Sequence, residues 1–358
     1  MSCMKTINTL NTMNCVKEVD ICCGLAWGDE AKGKVVTELI KKYDYDWVCR
    51  WAGGSNAGHT IYFNHIKYNT NIVPSGVFYN KKCYIGPQCY VNLHDLDKEM
   101  EYLHNNGFNI DTIYLSEYAH VVLDKHKFDD CQNYKTQQGS TGKGIAPCAQ
   151  DKYGRKGLRV KDILNEPFYF KDLLFFNPEK HIMKEALYGT ILCEGAQGFW
   201  LDIDYGNYPY VTSSCTLPYS ACSLGFPPQC IRHIYGAAKI YDTRVGVDPD
   251  FSDDLLKDKV LNSIATVGNE FGTTTGRMRK VNWLDLGKLI QAIIISGTTH
   301  VVISKTDILE KVGTFKLSNE MEFPTLETMK TYIVNQIKSQ CVLVKKIVFS
   351  DNPETVVF

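Results

Sequence analysis

Val19-Asp20-Ile21-Cys22-Cys23 runs into Gly24-Leu25-Ala26-Trp27-Gly28-Asp29-Glu30-Ala31-Lys32-Gly33-Lys34, and the apolar-patterned Val35-Val36-Thr37-Glu38-Leu39-Ile40 follows. The first segment reads as a buried strand, the last as a helix, with glycines on the turn between them. In that layout backbone N–H groups can approach an anion, and the helix adds its own unpaired N–H groups and positive dipole end. Gly28 to Lys34 fits the first seven places of the phosphate-loop pattern: glycine, any four, glycine, lysine. Val35 takes the eighth place, where a Ser or Thr would hold Mg²⁺. Asp29, a hard carboxylate inside the loop, is the nearest substitute. A Gly/Lys-rich surface turn is the competing reading, so the rest of the chain has to decide.

The 358 residues suffice for one large α/β domain or two modest ones, and the 44% hydrophobic and 22% charged shares are those of a globular protein. A net charge of −1 and the lack of long basic runs argue against a dedicated nucleic-acid surface. The polar, Asn/Thr-rich start reads as a flexible leader over residues 1–16, ahead of a single domain over 17–358. The most apolar region, Leu289 to Ser304, is broken by Gln291 and by Gly297-Thr298-Thr299-His300, so it reads as a buried helix followed by a strand, not a membrane span. Fourteen scattered cysteines without Cys-x-x-Cys or paired-histidine spacing read as buried free thiols in a reducing, cytoplasmic setting.

Further along, the strand-like Asp46 to Trp51 leads into Ala52-Gly53-Gly54-Ser55-Asn56-Ala57-Gly58-His59-Thr60. His59, between Gly58 and Thr60, can donate a proton or neutralise charge on a transferred phosphoryl group. Residues 61–72 read as a hairpin, 74–76 as a turn, and 82–85 and 112–115 as strands around a helix over about 94–104. The loop 137–147 places Ser140 and Thr141 between glycines, which suits phosphate. Arg155 and Arg159 follow; their guanidinium forks suit phosphate, and a solvated basic face is the competing reading. Glu194-Gly195-Ala196-Gln197-Gly198 lies at the end of a short strand, where ligands of parallel sheets collect. Thr273, Thr274, Thr275, Arg277 and Arg279 share one loop able to grip a small dicarboxylate. Ser304-Lys305-Thr306-Asp307 ends a strand, and a Lys-x-Asp of this kind closes guanine pockets.

Taken together, residues 24–34, 53–60, 140–159, 194–214, 268–285 and 304–309 resemble the motifs of the adenylosuccinate synthetase family, in that family's order. The resemblance implies a P-loop-NTPase-like α/β fold: one large domain with a mostly parallel central sheet flanked by helices. It implies that GTP phosphorylates the 6-oxygen of IMP and that L-aspartate then displaces the phosphate, giving adenylosuccinate, GDP and phosphate. Asp29 corresponds to the base for the N1 proton and to a Mg²⁺ ligand, with the Gly58 carbonyl a second ligand. His59, Lys32 and Gln197 take the other catalytic places. Asn56, Thr141, Arg155, Gln197, Thr212 and Arg277 match IMP contacts, Arg155 reaching in from the partner of a homodimer. Thr273, Thr274, Thr275 and Arg277 match the aspartate site. Gly28, Glu30, Gly33, Lys34, Thr60, Arg279, Lys305, Asp307 and Ser350 match the GTP site.

Several features depart from the family pattern: Lys143 replaces an arginine, Ala146 a glycine and Met278 a basic residue. Ala31 stands where a glycine is usual, and the chain is compact, with gaps between Arg159 and Glu194 and after Asp307. Compactness also suits viral relatives that make 2-aminoadenylosuccinate from dGMP, the second reading for the acceptor. The retained Asp29 favours IMP. A GTP-binding protein without turnover is a third reading; it leaves His59 and the dicarboxylate loop unexplained.

Overall fold

The computed structural model describes residues 15–134, 139–272, 276 and 278–358. In chain order its strands are β1 (Val16–Gly24), β2 (Trp47–Gly54), β3 (His59–Phe63), β4 (Ile66–Thr70), β5 (Lys82–Val91), β6 (Ile113–Ser116) and β7 (His120–Val121). These are followed by β8 (Ile182–Met183), β9 (Gly189–Glu194), β10 (Ile231–Lys239), β11 (Tyr241–Arg244), β12 (Lys280–Trp283), β13 (His300–Ser304) and β14 (Lys346–Ser350). Among the described residues ten strands form one sheet in the order β14-β13-β10-β1-β9-β2-β5-β6-β8, with β7 against β5. Its pairings are parallel throughout. The two small ladders, β3–β4 and β11–β12, are antiparallel.

A parallel sheet is covered on both faces, so its central strands are apolar on both sides. β1 shows this residue by residue: Ile21 and Cys23 enter one core with Trp51 and Phe199, while Cys22 enters the other with Val35, Val36 and Leu39. Those last three lie on the helix Lys32–Lys42, whose apolar spacing places them on one face. The expected buried helix and strand near the C-terminus are the helix Leu286–Ser296, capped by the Asp285 side chain on the Lys288 N–H, and β13. Gly297 ends that helix at φ 63°.

The expected hairpin is β3–β4, with Asn64 and His65 both left-handed at φ 50° and 62°, as a two-residue turn between right-twisted strands requires. The helix expected over about 94–104 spans Leu93–Asn105. β5 runs well past Ile85: its register with β2 shifts at Gly86-Pro87, and pairing resumes from Gln88 with β2 and from Tyr90 with β7. Cys22, Cys23, Cys49, Cys83, Cys89, Cys148, Cys193 and Cys341 are buried, and the described cysteines are free. No described helix is long and apolar enough to cross a membrane. Residues 1–14 of the expected leader lie outside the described residues, and β1 already starts at Val16.

Candidate active site

The C-terminal ends of β1, β2, β9 and β13 carry four of the loops singled out in the sequence. After β1 the chain turns sharply, with Asp29 at φ 59° and Ala31 at φ 64°. Left-handed backbone at a residue with a Cβ costs about 1–2 kcal/mol, so something must hold the loop. Glu30 is that brace. Its buried carboxylate accepts from the backbone N–H groups of Ala26 (3.2 Å) and Gly28 (2.8 Å) and from Lys32 Nζ (2.5 Å). Gly24 and Gly198 let it in, since a Cβ at either position would collide with it. Glu30 was expected among the GTP contacts; it lines neither cavity described below, because its oxygens are spent inside the loop. Asp29 instead faces outward, 25% exposed, with Oδ2 accepting from Arg279 Nε at 2.9 Å.

The second centre is His59 at the start of β3. Its Nδ1 pairs with Glu194 Oε1, and its Nε2 lies 3.0 Å from Arg50 Nη1. A guanidinium only donates, so Nε2 accepts and Nδ1–H donates to Glu194. Arg50 and Glu194 are direct partners on the neighbouring strands β2 and β9, which fixes the imidazole between opposite charges. Glu194 also accepts from the Ser75 N–H and hydroxyl, each at 2.7 Å. Burial and the Arg50 charge push His59 down to about 4, against the pull of Glu194. Despite its own burial, Glu194 is held at about 2 by Arg50 and His59. Arg50 and the pairing role of Glu194 escape sequence reading, because only the strand register brings them to His59.

Two cavities open at this edge, of about 220 and 550 Å³. The smaller one takes Asn56, Thr141, Gln197 and Thr212, all expected at an IMP site, together with Arg244, which the sequence did not flag. Gln197 sits at φ 55°, and both its amide atoms are buried without a partner. A buried unpaired amide is costly, so its pairing is left for a ligand. The larger cavity takes Gly33, Lys34, Thr60, Arg279, Lys305 and Asp307, all expected at a GTP site. Asp29, Lys32, Gly58 and His59 line both cavities, and Gly28 lines the smaller one.

The other expected residues lie elsewhere. Ser350 donates and accepts away from the cavity: it receives Lys34 Nζ at 2.9 Å and donates to the Thr355 carbonyl at 2.9 Å. Lys34, buried and near Lys305, is lowered to about 8. Arg155 is exposed, left-handed at φ 59°, and lines neither cavity. Thr273, Thr274, Thr275 and Arg277 lie outside the described residues. Their loop has a described stem, where Phe271 bridges Met278 and the Arg279 N–H donates to the Glu270 carbonyl at 3.0 Å.

The family model for adenylosuccinate synthetase matches residues 21–181 and 174–344. The chain belongs to the adenylosuccinate synthetase family. The adenylosuccinate synthetase of Exiguobacterium sibiricum is 36% identical over 345 residues, covering 84% of this chain and 79% of that one. The adenylosuccinate synthetase of Flavobacterium johnsoniae is 38% identical over 353 residues, covering 85% and 82%. Among solved structures, the fully ligated adenylosuccinate synthetase of Plasmodium falciparum superposes with a TM-score of 0.78 at 27% identity, covering 94% of this chain and 98% of that one. The cyanophage S-2L succinoaminodeoxyadenylate synthetase, bound to dGMP and to dATP as energy donor, shares the fold at a TM-score of 0.69 and 18% identity, covering 96% and 95%. As a member of this family the chain is a purine-biosynthesis ligase that joins aspartate to IMP with GTP. The reading as a GTP-binding protein without turnover falls with that assignment.

Proposed function

We propose that the smaller cavity receives IMP and the larger one GTP, and that the phosphoryl group passes between them at the seam formed by Asp29, Lys32, Gly58 and His59. The observation that carries this reading is the seam itself, since those four residues line both cavities. Phosphoryl transfer asks the protein for positioning and positive charge, not for covalent help. Asp29 has one oxygen committed to Arg279 and the other without a described partner, so it accepts the N1 proton of the base as the 6-oxygen attacks the terminal phosphorus. Lys32 steadies the charge, and GDP leaves. The aspartate amine then attacks C6, and phosphate departs.

His59 enters this sequence neutral. A phosphoryl group at the seam supplies a negative charge beside it, which raises the proton affinity of an imidazole. Glu194 keeps the ring aimed throughout, as the third member of a relay does. Asn56, Thr141, Gln197, Thr212 and Arg244 hold IMP. Thr273, Thr274, Thr275 and Arg277 hold aspartate. Gly33, Lys34, Thr60, Arg279, Lys305 and Asp307 hold GTP, Asp307 taking the guanine edge, while Gly28, expected with them, faces the IMP cavity.

Mg²⁺ fits the seam. No cluster of three or more candidate ligand side chains occurs among the described residues, and Mg²⁺ usually takes one or two protein oxygens plus substrate phosphates. The Asp29 carboxylate and the Gly58 carbonyl would hold it, and it would neutralise phosphate oxygens. Arg155, exposed and away from both cavities, serves the IMP site of a second copy in a homodimer. The free, largely buried cysteines suit a reducing, cytosolic compartment.

IMP is preferred over dGMP because Asp29 has only one oxygen to offer. Hypoxanthine presents a single N1–H there, whereas guanine presents N1–H and the 2-amino group together. The test is turnover with GTP, aspartate and Mg²⁺, offering IMP and dGMP separately. Preference for dGMP would overturn the acceptor assignment, and silence with both would overturn the proposed roles.

A further inference from the structure

Behind the larger cavity lies a buried carboxylate that the reaction above does not use. Glu270 is fully buried and lines neither cavity, although its neighbours Gly268, Asn269, Phe271 and Gly272 line the larger one. Its side chain points the other way, into a cluster of cations. Oε2 accepts from Arg279 Nη1 at 2.5 Å and from Lys239 Nζ at 2.9 Å. Oε1 accepts from the Tyr241 hydroxyl at 2.6 Å and lies 3.6 Å from Lys305 Nζ.

Each of these partners reaches a different part of the site. Arg279 uses its Nε to hold Asp29, so a single guanidinium is divided between the seam carboxylate and Glu270. Lys305 opens the Lys-x-Asp segment of the larger cavity and is tied to the Gly268 carbonyl at 2.7 Å. Lys239, at the end of β10, also donates to Thr243 at 2.8 Å and lines the larger cavity. The Glu270 main chain closes the stem of the loop 271–278 through Arg279. Three cations around a single buried carboxylate are more than a simple ion pair needs. Burial alone would push a carboxyl up, yet the three cations and Tyr241 hold Glu270 ionised. Lys239, fully buried, is brought down to about 8.

We infer that Glu270 is a positioning residue for this ligase, setting through Arg279 and Lys305 the relative placement of the Asp29 base, the GTP segment and the stem of the aspartate loop. It touches no substrate. Its effect is to make three substrate-facing elements move as a single body, which phosphoryl transfer requires because small misplacements are costly there. This inference rests on the assignment of the two cavities given above.

The test compares the wild type with Glu270→Gln, which keeps the shape and removes the charge. We expect kcat to fall roughly 100-fold and the KM for GTP to rise about threefold or more, with the KM for IMP unchanged. Removing the charge leaves buried cations unbalanced and can unfold the chain, so the second variant is Glu270→Gln with Lys239→Met, which restores the balance. The double variant should regain the thermal midpoint without regaining kcat. Recovery of kcat together with the midpoint, or a kcat loss with the KM for GTP unchanged, would overturn the inference and leave Glu270 a structural ion. Binding of a fluorescent GTP analogue is read in parallel. If the wild type is inactive with IMP, the proposed function fails, while weaker analogue binding by folded Glu270→Gln than by Lys239→Met still supports the coupling to the GTP segment, and binding by Glu270→Gln equal to the wild type overturns it.

Discussion

Arg279 Nε donates to Asp29 Oδ2 at 2.9 Å, although 250 positions separate the two residues in sequence. The bond aims a carboxylate that faces both cavities and leaves one oxygen for a proton. Arg279→Gln keeps a polar side chain but cannot reach both Asp29 and Glu270. Steady-state kinetics should show kcat lowered roughly 100-fold. An unchanged kcat would remove this pair from the reaction.

Glu194→Gln tests the aim of His59. The amide can no longer act as the charged acceptor for Nδ1–H, and Arg50 loses its buried counter-charge. We expect kcat to drop by about 10²–10⁴, as when the carboxylate of a histidine relay is neutralised, and the protein to lose about 3–5 kcal/mol in urea unfolding. Wild-type kcat in a folded variant would refute the relay.

Acid should destabilise the chain in two stages. His59 is near 6.5 when unfolded and about 4 when folded, so between those values the unfolded state binds the extra proton and stability falls as pH falls. Glu194 adds a second loss from about 4.5 down to about 2, where the folded carboxylate is finally protonated. His120 and His300, also held at about 4 chiefly by burial, deepen the first stage. Thermal midpoints measured from pH 7 to 4 should therefore decline, and His59→Gln should flatten part of that decline. A flat wild-type profile would contradict the buried neutral histidine.

Gln197→Leu separates stability from binding. The amide is buried with neither atom paired, so an apolar replacement of similar size should stabilise the empty protein by about 1 kcal/mol. The same change should raise the KM for IMP at least tenfold, because a polar partner of the nucleotide is gone. Loss of stability on this change would mean that the amide already has a partner.

Ala31→Gly should stabilise the chain by roughly 0.5–1 kcal/mol, since the residue sits in left-handed backbone that glycine enters freely. Urea denaturation of the two proteins measures it directly. A lower midpoint would mean that the Cβ of Ala31 makes a contact worth more than the strain.

The sheet was legible because its strands are short apolar runs ending in polar loops, with glycines after β1, β2 and β9 and the Lys-x-Asp segment after β13. Asp29, Lys32, Gly58 and His59 were legible as residues facing a ligand, since loop chemistry marks them, but that they lie between two cavities comes only from the fold. Glu30 and Ser350 read as ligand contacts because they neighbour the right motifs. A motif does not say which way a side chain turns, and these two turn inward to brace Lys32 and Lys34. Glu270, Lys239, Arg50 and Arg244 were not legible. Arg50, Lys239 and Arg244 lie on strands with an unremarkable local pattern, and Glu270 lies within a recognised loop motif that does not say its side chain turns inward, so each gains its place only from the fold.

The seam has a consequence for how this protein can vary. A substitution at Asp29, Lys32, Gly58 or His59 alters the surroundings of both nucleotides at once, so any gain for one substrate is tied to a change for the other. Thr141 and Thr212 touch only the smaller cavity, and Lys305 and Asp307 only the larger one. A change of nucleotide made at the rims leaves the other site alone, whereas one made at Asp29, on which the acceptor assignment rests, is carried into the donor site as well.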